Sequence, residues 1–534
     1  MSRSLLRRAV FIAVVLSILG TCIPEPARVL RLNDAAIGEL DPHKGSDYAD
    51  AILMYNVYDF LVRPGPGGSI ERDLADSWTI SEDGRVYDFH LRDAVFHDGS
   101  PVEASDVVFS ARRMAEMNRG FSYLFPDFTA TAPATDRVVF TLEAPFSPFL
   151  DGLIRLAIVN EDAVRANLDE GPFGELGDYG GLYLSSQPAG SGPYRVVSHN
   201  PRELTVLQPF DEHPAGFAPD APEIVRFKYS MQTPTVRALL TRGQHELTRL
   251  ALPVAVLRSL ANVEGIELRQ DVRSTNHYIK LNTKRPPTDD VHIRRAMALA
   301  FDYEALLRIL EVTPQLASGR PARGPLPAGV LGYDFDRSPP RRDLEAARAE
   351  LALAGYEPGE HPIEIQWVSE VGTTEQIALL FQQNMAEIGL DVQVVRTPWG
   401  LVLERGTRPE TTPHASTVDV SANSRDPDSI LTAMYHSESA GSWAALEWLL
   451  DPTIDALIEE GRRIVDPAAR AAWYAALEDS IIARQPSIFA YETATVIAKQ
   501  RHVRAPRLDD PSQAIPAIGA NYLFREISVG APGS

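Results

Sequence analysis

The chain alternates between stretches with period-two hydrophobicity and stretches in which apolar side chains recur every three or four positions. Residues 28–32 predict a short strand. Residues 49–62 carry Ile52, Leu53, Val57, Phe60 and Leu61 at helical spacing, and Pro64-Gly65-Pro66-Gly67-Gly68 stops them. Residues 77–80 and 86–91 predict strands around an Asp83-Gly84 turn. Residues 104–117 predict a helix capped by Ser105. Strands are expected at 137–142, 191–197, 204–207 and 278–282, the last ending at Pro286-Pro287. Residues 290–310 predict one long amphipathic helix with Ile293, Met297, Ala300 and Leu307 on its buried stripe. The proline-rich 319–340 reads as a loop. Residues 344–354 predict a helix closed by Gly355. A strand at 363–368, a helix at 374–388 and a strand at 391–395 make a β-α-β series, which implies a parallel sheet flanked by helices. Helices at 454–464 and 467–483 and a strand at 487–496 complete a mixed α/β pattern.

Composition narrows the class. A chain of 534 residues is too long for one ordinary domain. A formal net charge of −21 argues against a nucleic-acid partner. Arg3, Arg7 and Arg8 precede an uncharged apolar run at 9–20, with Pro24 and Pro26 beyond it, so residues 1–27 read as a secretory signal. Cys22 is the only cysteine, which rules out an intramolecular disulfide or a thiolate metal cluster. Its setting, Leu19-Gly20-Thr21-Cys22, resembles a bacterial lipoprotein box with Thr21 in place of the usual Gly or Ala, and lipidation of Cys22 is the expectation. No later segment reaches 18 uninterrupted apolar residues, so the mature chain is expected to touch the membrane only through that anchor. The twelve histidines are scattered, and neither a nucleophile elbow nor a His-Glu-x-x-His motif occurs, so no cofactor, metal or catalytic centre is expected.

A dozen short motifs then fall in one order. They include Leu40-Asp41-Pro42-His43-Lys44, Asn56-Val57-Tyr58-Asp59-Phe60-Leu61 and Asp73-Leu74-Ala75-Asp76-Ser77-Trp78. The longest runs from Phe89-His90-Leu91-Arg92-Asp93 through Phe96-His97-Asp98-Gly99-Ser100-Pro101 into Ala104-Ser105-Asp106-Val107-Val108. Gly190-Ser191-Gly192-Pro193-Tyr194, Leu281-Asn282-Thr283, Ala300-Phe301-Asp302-Tyr303 and Gly389-Leu390-Asp391-Val392 follow. Together they resemble the bacterial extracellular solute-binding proteins of family 5, the oligopeptide, dipeptide, nickel and opine binders. His97-Asp98 reads as part of a scaffold turn rather than as a metal or acid–base site, and Trp78 and Phe89 read as core.

The resemblance implies a periplasmic-binding-protein type II fold: two α/β lobes joined by a hinge, plus an extra domain. It places lobe I at 28–59 with 186–275 and 485–534, the extra domain at 60–185 and lobe II at 276–484. It implies an exported, periplasmic or extracytoplasmic monomer that captures a small polar solute or peptide between its lobes and hands it to an ABC permease and ATPase. A sensor or chaperone on the same fold, or an exported hydrolase, are the rival readings.

Matched position by position, the resemblance implies a cleft lined by Ser46, Asp47 and Tyr48, by Tyr123, by Trp399, by Ser421, Asn423, Arg425 and Asp426 in the loop 419–427, and by Tyr491. In peptide binders an aspartate four residues before the loop's proline pairs with the ligand's α-ammonium. Here that position is Asn423, which is neutral and both donates and accepts. A glycoside, an opine or a modified peptide therefore fits at least as well as a free peptide terminus. Arg425 is a candidate for a ligand carboxylate, and Asp47 for an amine.

Overall fold

The computed structural model describes residues 28–531 apart from 36, 46–47, 250–251 and 357–361. The signal segment and Cys22 lie outside the described residues, and so do Ser46 and Asp47. Tyr48 opens the helix Tyr48–Val57, but its side chain is also outside them.

One large sheet organises the molecule. Its strands run in the order Val392–Thr397, Ile363–Val368, Ala415–Ser421, Ile266–Leu281, Ser487–Gln500, Leu247–Thr248, Val29–Asp34, Ile224–Tyr229, Leu204–Pro209, Tyr194–Asn200. The two central strands are long, 16 and 14 residues, and antiparallel. One half of each belongs to each lobe. Residues 266–272 pair with 494–500 beside the N-terminal strands, and 276–280 pair with 487–492 beside the parallel strands. The register shifts between Val272 and Asn276, where the sheet passes from one lobe to the other.

The β-α-β unit has the expected form. Ile363–Val368 and Val392–Thr397 pair in parallel, with the helix Gly372–Ala386 between them in sequence. Buried residues of this layer, among them Ile365, Phe381 and Met385, form one core of the second lobe. A second four-stranded antiparallel sheet, Ala75–Ile80, Val86–Leu91, Arg137–Leu142 and Phe128–Ala134, builds the extra domain. Its core joins that of the first lobe: Phe89, Phe140 and Phe149 belong to the same buried cluster as Leu30, Val225 and Phe227. The extra domain and the first lobe thus share one continuous apolar core.

Five elements differ from expectation. The helix expected over 49–62 ends at Val57, and Val62–Pro64 is a short strand. The helix expected over 290–310 is two helices, Val291–Ala300 and Tyr303–Leu310. Phe301 is extended, and the Asp302 carboxylate accepts from the backbone N–H of Ala305 at 2.8 Å, which starts a new helix. The helix Ala104–Met117 begins after Glu103, not at Ser105. The carboxylate of Asp106, at the third helical position, reaches back to accept the Glu103 N–H at 2.8 Å, as the N3 residue of a capping box does. The strand expected at 278–282 extends back to Ile266, because the N-terminal half meets the first lobe and alternates only weakly. Part of the expected loop 319–340 is a strand, Gly319–Pro321, on Ser487–Gln500. Gly319 is required there: a Cβ would lie 2.5 Å from the ring of Tyr491.

The motif Asp41-Pro42-His43 has a packing role. Arg113, fully buried in the extra domain, donates to both oxygens of Asp41 at 2.7 and 2.6 Å and to the carbonyl of Tyr179 at 2.8 Å. His43 Nε2 lies 2.8 Å from the Ala157 carbonyl, so it carries the proton, and Nδ1 accepts from Arg113 at 3.0 Å. Burial, followed by the Arg113 charge, pushes His43 down to about 4, so the ring is neutral and serves as an acceptor. His97 is likewise structural: its Nε2 meets the Gly192 carbonyl at 2.9 Å.

Candidate functional site

A cleft of about 1280 Å³ lies between the extra domain and the second lobe. Phe121, Tyr123, Phe125 and Phe146 form the extra-domain wall. Opposite, the end of the strand Ala415–Ser421, the helix Asp428–Tyr435 and the turn around Trp443 form the second wall. Ile518, from the C-terminal segment, closes one end. Aromatic rings on one side and hydroxyls and carboxylates on the other suit a solute with apolar faces and polar edges.

The two walls touch at both margins of the cleft. At one margin the amide nitrogen of Asn423 donates to the hydroxyl of Tyr123. Beside it the guanidinium of Arg155, 4% exposed, donates to the carbonyl of Asn423 at 2.9 Å and to that of Ile518 at 3.3 Å. The same guanidinium lies over the Phe121 ring, 4.9 Å from its centroid. Arg155 therefore ties the extra domain to the second lobe and to the C-terminal segment. At the other margin the Ser147 N–H donates to the Arg462 carbonyl at 2.9 Å, and its hydroxyl donates to the Ile464 carbonyl at 2.6 Å.

Of the residues expected in the site, Tyr123, Ser421 and Asn423 line the cleft together. Ser421 also shares a hydrogen bond with Thr275 across the strand pair at 2.8 Å. Trp399 begins the helix Trp399–Arg405 and is not on the cleft wall. It packs edge-on against Trp443, which is, at 5.4 Å between centroids. Arg425 leaves the cleft and lays its stem beside Gly68 of the extra domain. Asp426 is buried and paired with Arg470 at 2.6 Å. Its burial, helped by the nearby Asp151 and Asp428 carboxylates, pushes its carboxyl up, while Arg470 pulls it down. Tyr491 is buried and stacks on His277 at 5.0 Å. These four positions, Trp399, Arg425, Asp426 and Tyr491, are supports around the cleft rather than its surface.

Sequence reading missed Trp443, Glu438, Glu459 and Arg462 on the second wall and His277 beneath it. The run Ser437-Glu438-Ser439-Ala440-Gly441-Ser442-Trp443, small and polar with one tryptophan, was the available signal for the first. His277 stands among polar neighbours in its strand, and no local pattern singled it out. Among the described residues no group of three or more His, Cys, Asp or Glu is placed to hold a metal ion.

A two-lobed α/β clamp with a sheet running through its hinge and a roomy cleft beside it defines a solute-capturing protein. Comparison with known proteins agrees. Residues 69–442 match the model of the bacterial extracellular solute-binding proteins, family 5 Middle, and the chain belongs to that family. The chain is 26% identical over 519 residues to the probable D,D-dipeptide-binding periplasmic protein of Escherichia coli (strain K12), covering 94% of this chain and 96% of that one. It is 27% identical to the glutathione-binding protein of Pectobacterium atrosepticum, covering 86% and 88%. Among solved structures, an ABC transporter substrate binding protein from Listeria monocytogenes superposes with a TM-score of 0.81 at 18% identity, covering 95% and 100%. A Helicobacter pylori ABC transporter-associated periplasmic binding protein, in complex with peptide STSA, gives 0.77 at 22% identity, covering 94% and 98%. The fold is that of the type II periplasmic binding proteins.

Proposed function

We propose that this chain is the substrate-binding component of an ABC importer, which captures a small polar solute in the cleft between the extra domain and the second lobe and delivers it to the membrane permease and its ATPase. The observation that carries the reading is the cleft itself: about 1280 Å³ bounded by the extra domain on one side and the second lobe on the other, with aromatic and polar side chains on its walls. A solute in the cleft bridges the walls and stabilises the closed arrangement, which the permease then distinguishes from the open one. Members of the family are binding proteins, and no catalytic role is assigned to any residue here.

The bounds of the bodies follow the sheet. The first lobe meets the second at 272–276 and again at 492–494, and the extra domain, built around the sheet at 75–142, is carried by the first lobe. The protein is read as an exported monomer on the extracytoplasmic side of the membrane, with Cys22 as its candidate lipid anchor. The peptide-, glutathione- and dipeptide-binding relatives favour a ligand with peptide character over a glycoside. The neutral Asn423, engaged by Tyr123, argues against that residue as the site of an ammonium. Native mass spectrometry of the full chain as purified tests the function. A retained small solute, or one acquired from a mixture of peptides, opines and glycosides, is expected. A chain that binds none of them refutes the reading.

A further inference from the structure

We propose that closing the cleft draws a proton from the solvent into the contact between Asp151 and Asp426, so that solute capture tightens as the medium turns acid; this rests on the binding-protein reading above. Asp151 belongs to the four-residue helix Phe149–Gly152 of the extra domain. Opposite it stands the loop of the second lobe that carries Ser424, Arg425 and Asp426. A void of about 10 Å³, lined by Asp151, Ser424 and Arg425 among others, lies at the joint. The charges there are unevenly paired. Arg470 gives both terminal nitrogens to Asp426, at 2.6 Å to Oδ2 and 2.8 Å to Oδ1. Arg462 bonds Asp428 at 2.7 Å. Asp151 enters no ion pair among the described residues, and its Oδ1 is shut off from solvent without a hydrogen-bond partner. Tyr87 of the extra domain and Tyr474, 3.4 Å from Arg470, also face the cluster, and burial pushes both hydroxyls up, so they stay neutral.

Two carboxylates from different bodies thus meet around one guanidinium that is already engaged by one of them. A carboxyl group closed off from water without a partner of its own takes a proton rather than carry its charge inside. Burial pushes Asp151 up, with Arg425 and then Arg470 opposing. Burial also pushes Asp426 up; Arg470 pulls it back, and the Asp151 and Asp428 charges add to the rise. Parting the walls undoes the causes that act on Asp151: its oxygens meet water and the Asp426 charge recedes. Open, Asp151 titrates near about 3.9 and is ionised above that. Closed, the pair keeps a proton to higher pH. Closure is therefore favoured at low pH, and the advantage is lost as pH rises through the raised value.

The test uses the full chain, freed of retained solute by unfolding and refolding. Wild type and Asp151→Asn are brought to equilibrium dialysis at pH 5 and at pH 8 against a probe mixture of a tryptic casein digest, octopine and maltose, and bound components are quantified by mass spectrometry. The affinities of the two proteins are compared at each pH, so that a component's own titration cancels. Asp151→Asn, neutral at every pH, should bind more tightly than the wild type, and its advantage should grow about tenfold from pH 5 to pH 8. Arg425→Met removes a cation that opposes the proton, and it should move the midpoint of the wild-type pH profile upward; it carries the test if Asp151→Asn fails to fold. An advantage that is the same at both pH values, an Asp151→Asn that binds more weakly than the wild type at pH 8, or a midpoint that Arg425→Met leaves in place or lowers overturns the proposal and leaves the binding function standing. A chain that binds no component at either pH removes both.

Discussion

Asp419 and Asp426 leave the same strand-and-loop segment seven residues apart, and the fold treats them in opposite ways. Asp419 sits near the end of a strand beside the buried imidazole of His277, with much of its side chain open to the cleft. Asp426 is 2% exposed and receives the guanidinium of Arg470, itself 4% exposed. Around Asp426 stand Asp151 from the extra domain and Asp428 from its own loop, so the cluster is a buried, mixed-charge contact between two bodies. The difference teaches how a carboxylate is spent. Paired with a buried cation it becomes scaffold, because breaking the pair leaves an uncompensated charge inside the protein. On an open wall beside an imidazole N–H, it stays in contact with the solvent of the cleft.

The sharpest break of this contrast is Arg470→Met. It strands Asp426 in the interior and should cost about 3–5 kcal/mol of stability in urea unfolding, whereas Asp419→Asn should stay within about 1 kcal/mol of the wild type. Comparable losses from both would erase the distinction. On the wall, Trp443→Ala should weaken binding of a retained ligand by about tenfold, by loss of its aromatic surface. Trp399→Ala, acting only through Trp443, should weaken it by less without unfolding the chain. Calorimetry on both variants checks the order.

Acid sharpens the comparison further. Burial pushes the Asp151 carboxyl up to about 6, with Arg425 and Arg470 opposing. Unfolded, an aspartate titrates near about 3.9. Between those values the folded chain holds a proton that the unfolded chain has lost, so this group's contribution is complete at low pH and declines as pH rises through the window. Asp151→Asn removes that slope. Its stability relative to the wild type should therefore be higher at pH 8 than at pH 5, and urea midpoints that differ by the same amount at both pH values would contradict this. The smallest effect is expected at the cleft margin. Tyr123→Phe deletes one partly exposed hydrogen bond to Asn423 and should change unfolding free energy by about 1 kcal/mol or less, measurable beside Asn423→Ala in the same assay.

How far the residues alone foretold this depends on the distance over which each feature is encoded. The β-α-β unit at 363–397, the helix closed by Gly355 and three of the four extra-domain strands are written in local periodicity and were legible; Phe128–Ala134 was not. The break at Phe301-Asp302 was not, because the period continues through it and only the Asp302 cap interrupts the backbone. The long central strand was half legible: Tyr278, Ile279 and Leu281 mark its second half, while 266–272, mostly polar, take partners from a chain segment more than 200 residues away. Within the cleft, Tyr123, Ser421 and Asn423 could be placed by motif. Arg425, Asp426 and Tyr491 belong to the same motifs, but their side-chain directions depend on Gly68, Arg470 and His277, which no local pattern links to them.

The register break between Val272 and Asn276 has a mechanical consequence. The chain there is held outside the ladder: Ser274 accepts from the Ala422 N–H with its carbonyl at 2.8 Å, gives its own N–H to the Pro516 carbonyl at 3.2 Å and its hydroxyl to the Ala328 carbonyl at 2.8 Å. Three separate segments thus grip one residue at the place where two adjacent strands, about 4.8 Å apart, are the covalent route between halves. Such a linkage resists stretching and yields to twist. The halves are geared to turn about the strand pair as a torsion bar, with Ser274 as its collar, so that a small rotation at the bar sweeps the distant walls of the cleft through a much larger arc.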